Sequence, residues 1–288
     1  MSFLTLAQIL EPCLGQGWAV GAYDTCTLEI TQAIADAAAA DQSPAIFMVY
    51  PGHTPQTDWP TLTRIVAAEV ERVGVPAAWV LDHAKTLDQV KYALELGFSG
   101  IMIDASQSPL EQNIALTREA VALAHARGVS VEAELGHVRQ EQELVSEDQQ
   151  RAYLTRVEEA DRFVTETGVD ALAVSIGTVH GLYRGKPQLD FERLAQLRAV
   201  CQAPLVLHGG SDTPDPDLRR AIEIGIAKIN IWTDVRLPFL RSLKGMLAGP
   251  IEKVEVHDAL TAARTAAEAV IRQKNQLLGS VGKAIHYS

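Results

Sequence analysis

Short apolar runs alternate with longer stretches of helical periodicity along the chain. Each run is four to six residues long, which is typical of a strand buried on both faces. The runs are Trp18–Ala22, Ala45–Val49, Ala78–Leu81, Gly100–Ile103, Val129–Ala133, Ala171–Ile176, Pro204–Leu207 and Ala227–Ile231. Apolar residues at helical spacing lie between them, in Thr27–Ala40, Leu87–Leu96, Glu111–Ala126 and Leu218–Ile224. The pattern therefore predicts strands that alternate with helices.

Eight such strands favour a (β/α)8 barrel, a fold that typically needs about 250 residues. A doubly wound open sheet is the alternative, but it would normally place a glycine-rich phosphate turn after the first strand. The first run continues instead into Tyr23-Asp24-Thr25-Cys26-Thr27. We expect one barrel domain over residues 1–288, with the helical segment from Pro250 onward capping the barrel or contacting a partner subunit.

Composition narrows the class of protein. The 288 residues are 47% hydrophobic and 21% charged, with a formal net charge of −11, as in an ordinary soluble globular protein. The acidic balance argues against nucleic acid or an anionic membrane as the main partner. Cys13, Cys26 and Cys201 form no CxxC pair, so neither a disulfide framework nor a zinc knot is indicated. Because neither a signal peptide nor a membrane span is evident, we expect a cytoplasmic protein.

Ionisable and amide side chains occur where the apolar runs end, and they are candidates for an active site. The active site of a (β/α)8 barrel lies at the carboxyl ends of its strands, so side chains at those positions should meet. They are Asp82, His83, Asp104, Glu132, Glu134, His180, His208 and Asn230. A single histidine at a strand end is more often structural, but three at matching positions favour a metal site.

Three histidine ligands with one open position are the pattern of catalytic zinc. We therefore predict ligands at His83, His180 and His208. Asp104 and Glu134 are further ligands or groups that orient the ligands. The remaining histidines are assigned to surface or structural roles; they are His53, His125, His137, His257 and His286. His137 lies just beyond the fifth run, so a role at the site stays open for it.

A second signal points to an anion. Gly209, Gly210 and Ser211 follow the seventh run, and Thr233 follows the eighth. The loops after strands seven and eight are a frequent phosphate site in this fold. Arg184 and Lys186 could add positive charge at the same mouth, or they could be solvated loop residues.

Taken together, these segments resemble the class II, zinc-dependent ketose-bisphosphate aldolases, which include fructose- and tagatose-bisphosphate aldolases. The matching segments run in family order over nearly the whole chain: AVGAY, LDH, MIDAS, EQNIALTREAV, VSVEAELG, TGVDALAVSIGTVHGLY, LDFERL, PLVLHGGS and GIAKINIWT. Any one of them is a weak signal, but the ordered set is specific.

The resemblance implies a zinc ion on His83, His180 and His208, with a second or a monovalent cation possible. It implies that Asp104 and Glu134 approach the metal region and that Asp82 moves the substrate's proton. The substrate would be a phosphorylated ketose that releases dihydroxyacetone phosphate, bound by Gly181, Gly209, Gly210, Ser211, Asn230, Trp232 and Thr233, with Tyr50 and Arg184 nearby. A homodimer or homotetramer is expected.

Two regions depart from the family pattern. A glycine-rich acidic loop usually follows strand five, but here Gln142 stands at the expected carboxylate, and Glu141 or Glu143 could take over its acid–base role. At the pocket rim, Tyr50, Asp212 and Trp232 are unusual, as is the pair Tyr23-Asp24. We therefore expect the carbon–carbon chemistry to persist with an atypical aldehyde. The alternatives are another metal-dependent lyase or epimerase acting on a phosphosugar, and a non-catalytic aldolase-like subunit.

Overall fold

Eight parallel strands close into a barrel in chain order, with β1 hydrogen-bonded to both β2 and β8. The computed structural model describes residues 3–140, 151–183 and 187–287. The strands are β1 (Val20–Asp24), β2 (Ala45–Val49), β3 (Ala77–Ala84), β4 (Gly100–Ile103), β5 (Ser130–Leu135), β6 (Ala171–Val174), β7 (Leu205–Leu207) and β8 (Ile226–Ile231). The predicted (β/α)8 barrel is confirmed, and the open sheet is wrong.

Helices cover the outside of the barrel and close its amino-terminal end. They are α1 (Leu6–Leu10), α2 (Leu28–Asp41), α3 (Trp59–Val73), α4 (Leu87–Leu96), α5 (Leu110–His125), α6 (Val157–Thr167), α7 (Phe191–Val200), α8 (Asp215–Ile224), α9 (Thr233–Met246) and α10 (Val256–Leu278). Thr27 and Thr86 cap the starts of α2 and α4, because their hydroxyl oxygens accept from backbone N–H groups of the first turn. No helix in these described ranges is both long enough and apolar enough to cross a bilayer.

The strands bury both of their faces, which explains why they read as continuous apolar runs. In β2, Ile46 and Met48 belong to the cluster inside the barrel, whereas Phe47 and Val49 belong to the larger cluster between sheet and helices. This alternation follows from the two-residue period of a strand. Two apolar layers therefore hold the strands in place. The polar residues of the candidate site lie mainly towards the carboxyl ends of the strands.

Helix α1 plugs the amino-terminal end of the barrel. Leu6, Ile9 and Leu10 are fully buried and join the interior cluster, and the Leu4 N–H donates to the Ala77 carbonyl oxygen at 2.8 Å. Gly100 makes room for this helix, since a Cβ there would lie 2.8 Å from Leu6 Cγ. One end of the barrel is thus sealed, and the opposite end carries the polar residues.

Helix α10 is held to the barrel by a buried polar cluster. Tyr23 Oη donates to Asn275 Oδ1 at 3.1 Å, and Asn275 Nδ2 donates to Asp41 Oδ2 at 3.1 Å. Arg272 Nε pairs with the other Asp41 oxygen at 3.0 Å. The carboxyl-terminal helix therefore packs on this chain's own α2, and the expected contact with a partner subunit stays a prediction.

Replacing Leu6 by alanine should destabilise the protein by about 2–5 kcal/mol, because it leaves a cavity at the barrel plug. Urea unfolding followed by circular dichroism measures this change. Leu14→Ala, at a position that is 39% exposed, is the control and should shift the free energy of unfolding by less than about 0.5 kcal/mol. Equal effects of the two substitutions would contradict the plug.

Candidate metal centre and active site

A β-bulge at the end of β3 presents Asp82 and His83 to the same pocket. Leu81 pairs with Ile101 and Ala84 with Ile103, so β3 contains one more residue than β4 over this interval. His83 absorbs the extra residue with a left-handed backbone, at φ 48°. Adjacent strand residues normally face opposite sides, and a bulge re-aims one of them. The sequence had indicated a strand that ends at Leu81. In the structure β3 instead continues through Asp82 and His83 to Ala84.

Four side chains converge at the open rim: His83, Glu134, His180 and His208. One ligand atom from each lies within 4.8 Å of the others. Three of their atoms, His83 Nε2, His208 Nδ1 and Glu134 Oε2, are buried without a well-oriented hydrogen bond, although the last two lie 3.0 Å apart. Because buried polar atoms are nearly always paired, such a group fits a bound cation. Imidazole nitrogens with one carboxylate suit Zn²⁺ and related divalent ions.

Asp104 lies behind His83 rather than among the converging atoms. Its Oδ2 is 2.8 Å from His83 Nδ1 and also contacts Lys85 Nζ at 2.5 Å, while its Oδ1 accepts from the Ser106 hydroxyl at 2.7 Å. Of the two roles that the sequence left open for Asp104, this geometry supports a group that orients a ligand rather than a ligand itself. A carboxylate on one imidazole nitrogen orients the other nitrogen towards a metal.

The same contacts set the pKa values on this side of the site. Burial favours the neutral form of His83, but the charge of Asp82 and the hydrogen bond to Asp104 more than offset it and raise the His83 pKa. Burial likewise opposes ionisation of Asp104, yet His83 and Lys85 hold its pKa well below the usual range. Asp104 is therefore a fixed negative charge.

His208 is held from two sides by the acids of β5. Its Nε2 lies 2.8 Å from Glu132 Oε1, and its Nδ1 lies 3.0 Å from Glu134 Oε2. Burial opposes protonation, but these two carboxylates raise the pKa of His208 to about 10. Glu132 also lies 2.8 Å from Lys228 Nζ, and despite burial Lys228 and His208 lower its pKa to about 2. The two carboxylates of β5 therefore favour a positive charge at this position.

His180 reaches the group from the loop after β6. Its backbone N–H donates to the Arg139 carbonyl at 2.9 Å, which ties this loop to the segment after β5. Burial, followed by the neighbouring His83 and His208, lowers the His180 pKa well below its ordinary value. A neutral imidazole is the form that binds metals.

Asp82 stands beside this group, and a second acid accompanies it. Asp82 Oδ2 is 3.9 Å from His83 Nε2, and Asp82 Oδ1 accepts from Asn230 Nδ2 at 3.2 Å. Asp24 is buried in the same pocket, with Oδ1 unpartnered. Burial, and then the charge of Asp82, raise the Asp24 pKa well above its usual value.

A cavity of ≈ 330 Å³ opens above these groups. One wall is aromatic: the Tyr50 ring centroid lies 5.9 Å from that of His83 and 4.7 Å from that of His53, which in turn lies 5.4 Å from Trp232. His53 and His137 both line the cavity, which corrects their assignment to surface or structural roles. His137 Nδ1 lies 3.3 Å from the Ser106 hydroxyl.

Among the described residues, those predicted to bind an anion line the cavity, with one exception. Gly181, Gly209, Ser211 and Thr233 line the cavity, as does Arg236, which the sequence reasoning missed. Gly210 is not among the lining residues, and its N–H donates to the Asn230 carbonyl at 3.0 Å; a phosphate contact of Gly210 stays a prediction that this geometry does not favour.

Asp212 keeps its charge away from the cavity. Its Oδ2 accepts from the Tyr183 N–H at 2.9 Å, and its side chain does not line the cavity. A carboxylate beside a phosphate would repel it, and this orientation of Asp212 avoids such repulsion. The residues outside the described ranges include five that the sequence analysis singled out: Glu141, Gln142, Glu143, Arg184 and Lys186.

From the sequence, Glu132 was placed at the rim without a role, Lys228 was not singled out, and Asp24 was named only as a departure from the family pattern. A signal existed for the first two, because a strand repeats every two residues. Glu132 lies on the same face as Glu134, and Lys228 on the same face as Asn230. A charged residue two positions before a site residue on a barrel strand therefore deserves inclusion in a predicted site.

Comparison with known proteins agrees with this geometry. The family model described as "Fructose-bisphosphate aldolase class-II" matches residues 4–283. The chain belongs to the class II fructose-bisphosphate aldolase family. The resemblance found in the sequence is thereby confirmed, and this family membership supports an aldolase activity.

Individual relatives of this class II aldolase-family chain cover its whole length. It is 39% identical to the fructose-bisphosphate aldolase of Thermus caldophilus, over 98% of this chain and 99% of that protein. The crystal structure of the YdjI aldolase from Escherichia coli K12 superposes with a TM-score of 0.87 at 30% identity, covering 98% of this chain and 99% of that one. The fructose-bisphosphate aldolase structure from Campylobacter jejuni shares the fold, with a TM-score of 0.81 at 21% identity, over 98% of this chain and 97% of that one.

Replacing Asp24 by asparagine should stabilise the metal-free protein at neutral pH. A carboxyl whose pKa is raised by folding contributes stability that is present below its unfolded pKa and is lost as pH rises through the folded pKa. The gain of Asp24→Asn should therefore grow as pH rises above about 4, the ordinary pKa of an aspartate, as measured by urea unfolding with a chelator present.

Asp88→Asn is the control, because that side chain is 92% exposed. Its effect on stability should be small and independent of pH over the same range. A pH-independent effect of Asp24→Asn would show that this carboxyl is not held in its neutral form.

Proposed function

We propose that this protein is a zinc-dependent aldolase that cleaves a phosphorylated ketose to dihydroxyacetone phosphate and an aldehyde, and catalyses the reverse condensation. The observation that carries the proposal is the convergence of His83, His180, His208 and Glu134 beside Asp82, with buried ligand atoms that lack a well-oriented hydrogen bond. Membership of the class II aldolase family supports the reaction type.

In this proposal the three imidazoles hold the cation, with Glu134 as a further ligand. A bound Zn²⁺ supplies a Lewis acid for the negative charge that develops on the ketone oxygen. Asp104 and Glu132 fix the ring orientations of His83 and His208 through their hydrogen bonds of 2.8 Å. The ligands are thus oriented before the metal binds, which favours a defined coordination geometry.

Asp82 is the proton-handling residue of the proposed reaction. In the cleavage direction it takes the proton from the substrate hydroxyl at the bond to be broken, while the electron pair of that bond passes to the ketone fragment. Its Oδ1 is held by Asn230, at 3.2 Å, and Oδ2 is left to face the substrate. In condensation Asp82 returns the proton to the new hydroxyl.

The phosphate is assigned to the rim formed by Gly181, Gly209, Ser211 and Thr233. Helix α9 begins at Thr233, and the amino-terminal end of a helix favours a negative charge. Arg236, one turn into the same helix, adds a cation at the cavity. Binding energy gained at the phosphate orients the remote carbonyl for reaction.

The aldehyde is assigned to the aromatic wall of Tyr50, His53 and Trp232. Stacked or edge-on rings present apolar surface with a few polar edges. This wall suits an aldehyde that offers carbon–hydrogen surface, so the aldehyde partner differs from a small phosphorylated one. The natural sugar is therefore best sought with a panel of aldehydes.

His180→Ala should lose Zn²⁺ and aldol cleavage together, since a direct ligand should cost more than the ~10–100-fold affinity loss typical of a residue behind the ligands. Asp82→Asn should keep the metal and lower kcat by about 10²–10⁴-fold. Metal content by mass spectrometry and cleavage of ketose phosphates, coupled to detection of dihydroxyacetone phosphate, measure both.

His257→Ala is the matched control, because that side chain is 83% exposed, and it should retain both metal and activity. Exchange of a ketone C–H proton with solvent but no cleavage would point to an epimerase or another lyase. Metal binding without either reaction, across a panel of aldehydes with dihydroxyacetone phosphate, would favour a non-catalytic subunit.

Trp232→Ala should raise KM for the aldehyde about two- to thirteenfold in the condensation direction, through loss of a contact worth about 0.5–1.5 kcal/mol. The KM for dihydroxyacetone phosphate should stay within about twofold, because the phosphate contacts are elsewhere. Trp232→Phe, which keeps an aromatic ring, is the control. A larger effect on the ketone phosphate than on the aldehyde would refute the assignment of the aromatic wall.

A further inference from the structure

A continuous chain of polar contacts runs beneath the candidate site from one metal-ligand histidine to Asp82. His208 Nε2 lies 2.8 Å from Glu132 Oε1, and Glu132 Oε2 lies 2.8 Å from Lys228 Nζ. Lys228 Nζ donates to Asn230 Oδ1 at 2.7 Å, and Asn230 Nδ2 donates to Asp82 Oδ1 at 3.2 Å. Lys228 stands at the centre of this chain.

Lys228 is an unusual residue at this level of the barrel. Its side chain and that of Glu132 are both 0% exposed, and its partners in the neighbouring strands are Val20 and Val206. A buried ion pair can often be replaced by apolar side chains without loss of stability. Stability alone therefore does not explain a lysine at this position. Its role has to be sought in the side chains that it orients through its contacts.

The contact to Asn230 fixes the orientation of an amide. An ammonium group has donors only, so the Asn230 atom that faces Lys228 has to be the carbonyl oxygen. The amide nitrogen of Asn230 then faces Asp82 and donates to it. Without Lys228 the amide can rotate by half a turn and place its oxygen against the Asp82 carboxylate, which would repel and displace that group.

The contact to Glu132 fixes an imidazole. Lys228 holds one oxygen of Glu132, so that the other oxygen accepts from His208 Nε2. With Nε2 engaged, His208 is left with Nδ1 for the group of converging ligand atoms. Lys228 therefore contacts neither the metal ligands nor Asp82, but it holds one partner of each.

We propose that Lys228 is a positioning residue that orients Asn230 towards Asp82 and Glu132 towards His208. The proposal deepens the aldolase function and rests on it for the role of Asp82. The proposal has two parts that can be tested separately. The first arm is the contact of Lys228 with Asn230, which should affect Asp82. The second arm is the contact of Lys228 with Glu132, which should affect the metal ligand His208.

A double-mutant cycle tests the first arm. Lys228→Met, which removes the charge at similar volume, should lower kcat for aldol cleavage about 10–100-fold, the size expected when a catalytic group is displaced by about 1 Å. In the Asn230→Ala background the same substitution should lower kcat by less than about threefold, because the amide it orients is gone. Additive effects, or no effect in the wild-type background, would overturn this arm.

Zinc affinity tests the second arm without any measurement of activity. Competition with a chelator should give about tenfold weaker Zn²⁺ binding for Lys228→Met and less than about threefold weaker binding for Asn230→Ala. The reason is that Lys228 contacts Glu132, the partner of His208, whereas Asn230 contacts Asp82. The double variant Lys228→Met with Glu132→Gln avoids an unpaired buried carboxylate. Its Zn²⁺ affinity should be lowered as much as that of Lys228→Met alone. Wild-type affinity in both lysine variants would overturn this arm.

Asn275→Ala is the control for general destabilisation. Asn275 is also buried and polar, but it binds Tyr23 and Asp41 on the outer side of the barrel. It should lower the melting temperature and leave kcat and zinc affinity unchanged. If the wild-type protein cleaves no ketose phosphate, the aldolase proposal fails, and the chelator competition alone then decides whether Lys228 positions His208.

Discussion

The charges at the barrel rim are held in place by two matching sets of contacts, each an imidazole, a carboxylate and a lysine. His83 is bound by Asp104, which is bound by Lys85; His208 is bound by Glu132, which is bound by Lys228. A buried carboxylate needs a cation to remain charged, and a metal-binding imidazole needs a partner to fix its tautomer. Each set meets both needs at once.

The two sets differ in their surroundings. Lys85 is 54% exposed at the cavity mouth, whereas Lys228 is fully buried. The exposed ion pair is screened by water and contributes little to stability. The buried pair is isolated from solvent and also contacts Asn230, so it couples the ligand side of the site to the acid–base side. The floor of the site is therefore more tightly determined than its mouth.

The barrel provides the geometry that these contacts require. Parallel strands place all their carboxyl ends at one rim, the α1 plug closes the opposite end, and the bulge at His83 turns two consecutive side chains into one cavity. The left-handed backbone of His83 is unfavourable for a residue with a Cβ, and such conformations persist where surrounding contacts enforce them. Here the hydrogen bond to Asp104 is such a contact.

The sequence by itself determined the barrel, because the alternation of strands and helices is a local pattern. It also placed His83, His180 and His208 at strand ends, and the ordered motifs indicated the family. The tertiary structure alone decided which ring nitrogen of His83 and of His208 faces the converging ligand atoms, that Asp104 lies behind His83, and that Gly210 is engaged elsewhere. These facts depend on contacts between distant residues: Glu132 and His208 are 76 positions apart, and Asp82 and Asn230 are 148 apart. No local pattern encodes such a contact, since it exists only once the strands have closed.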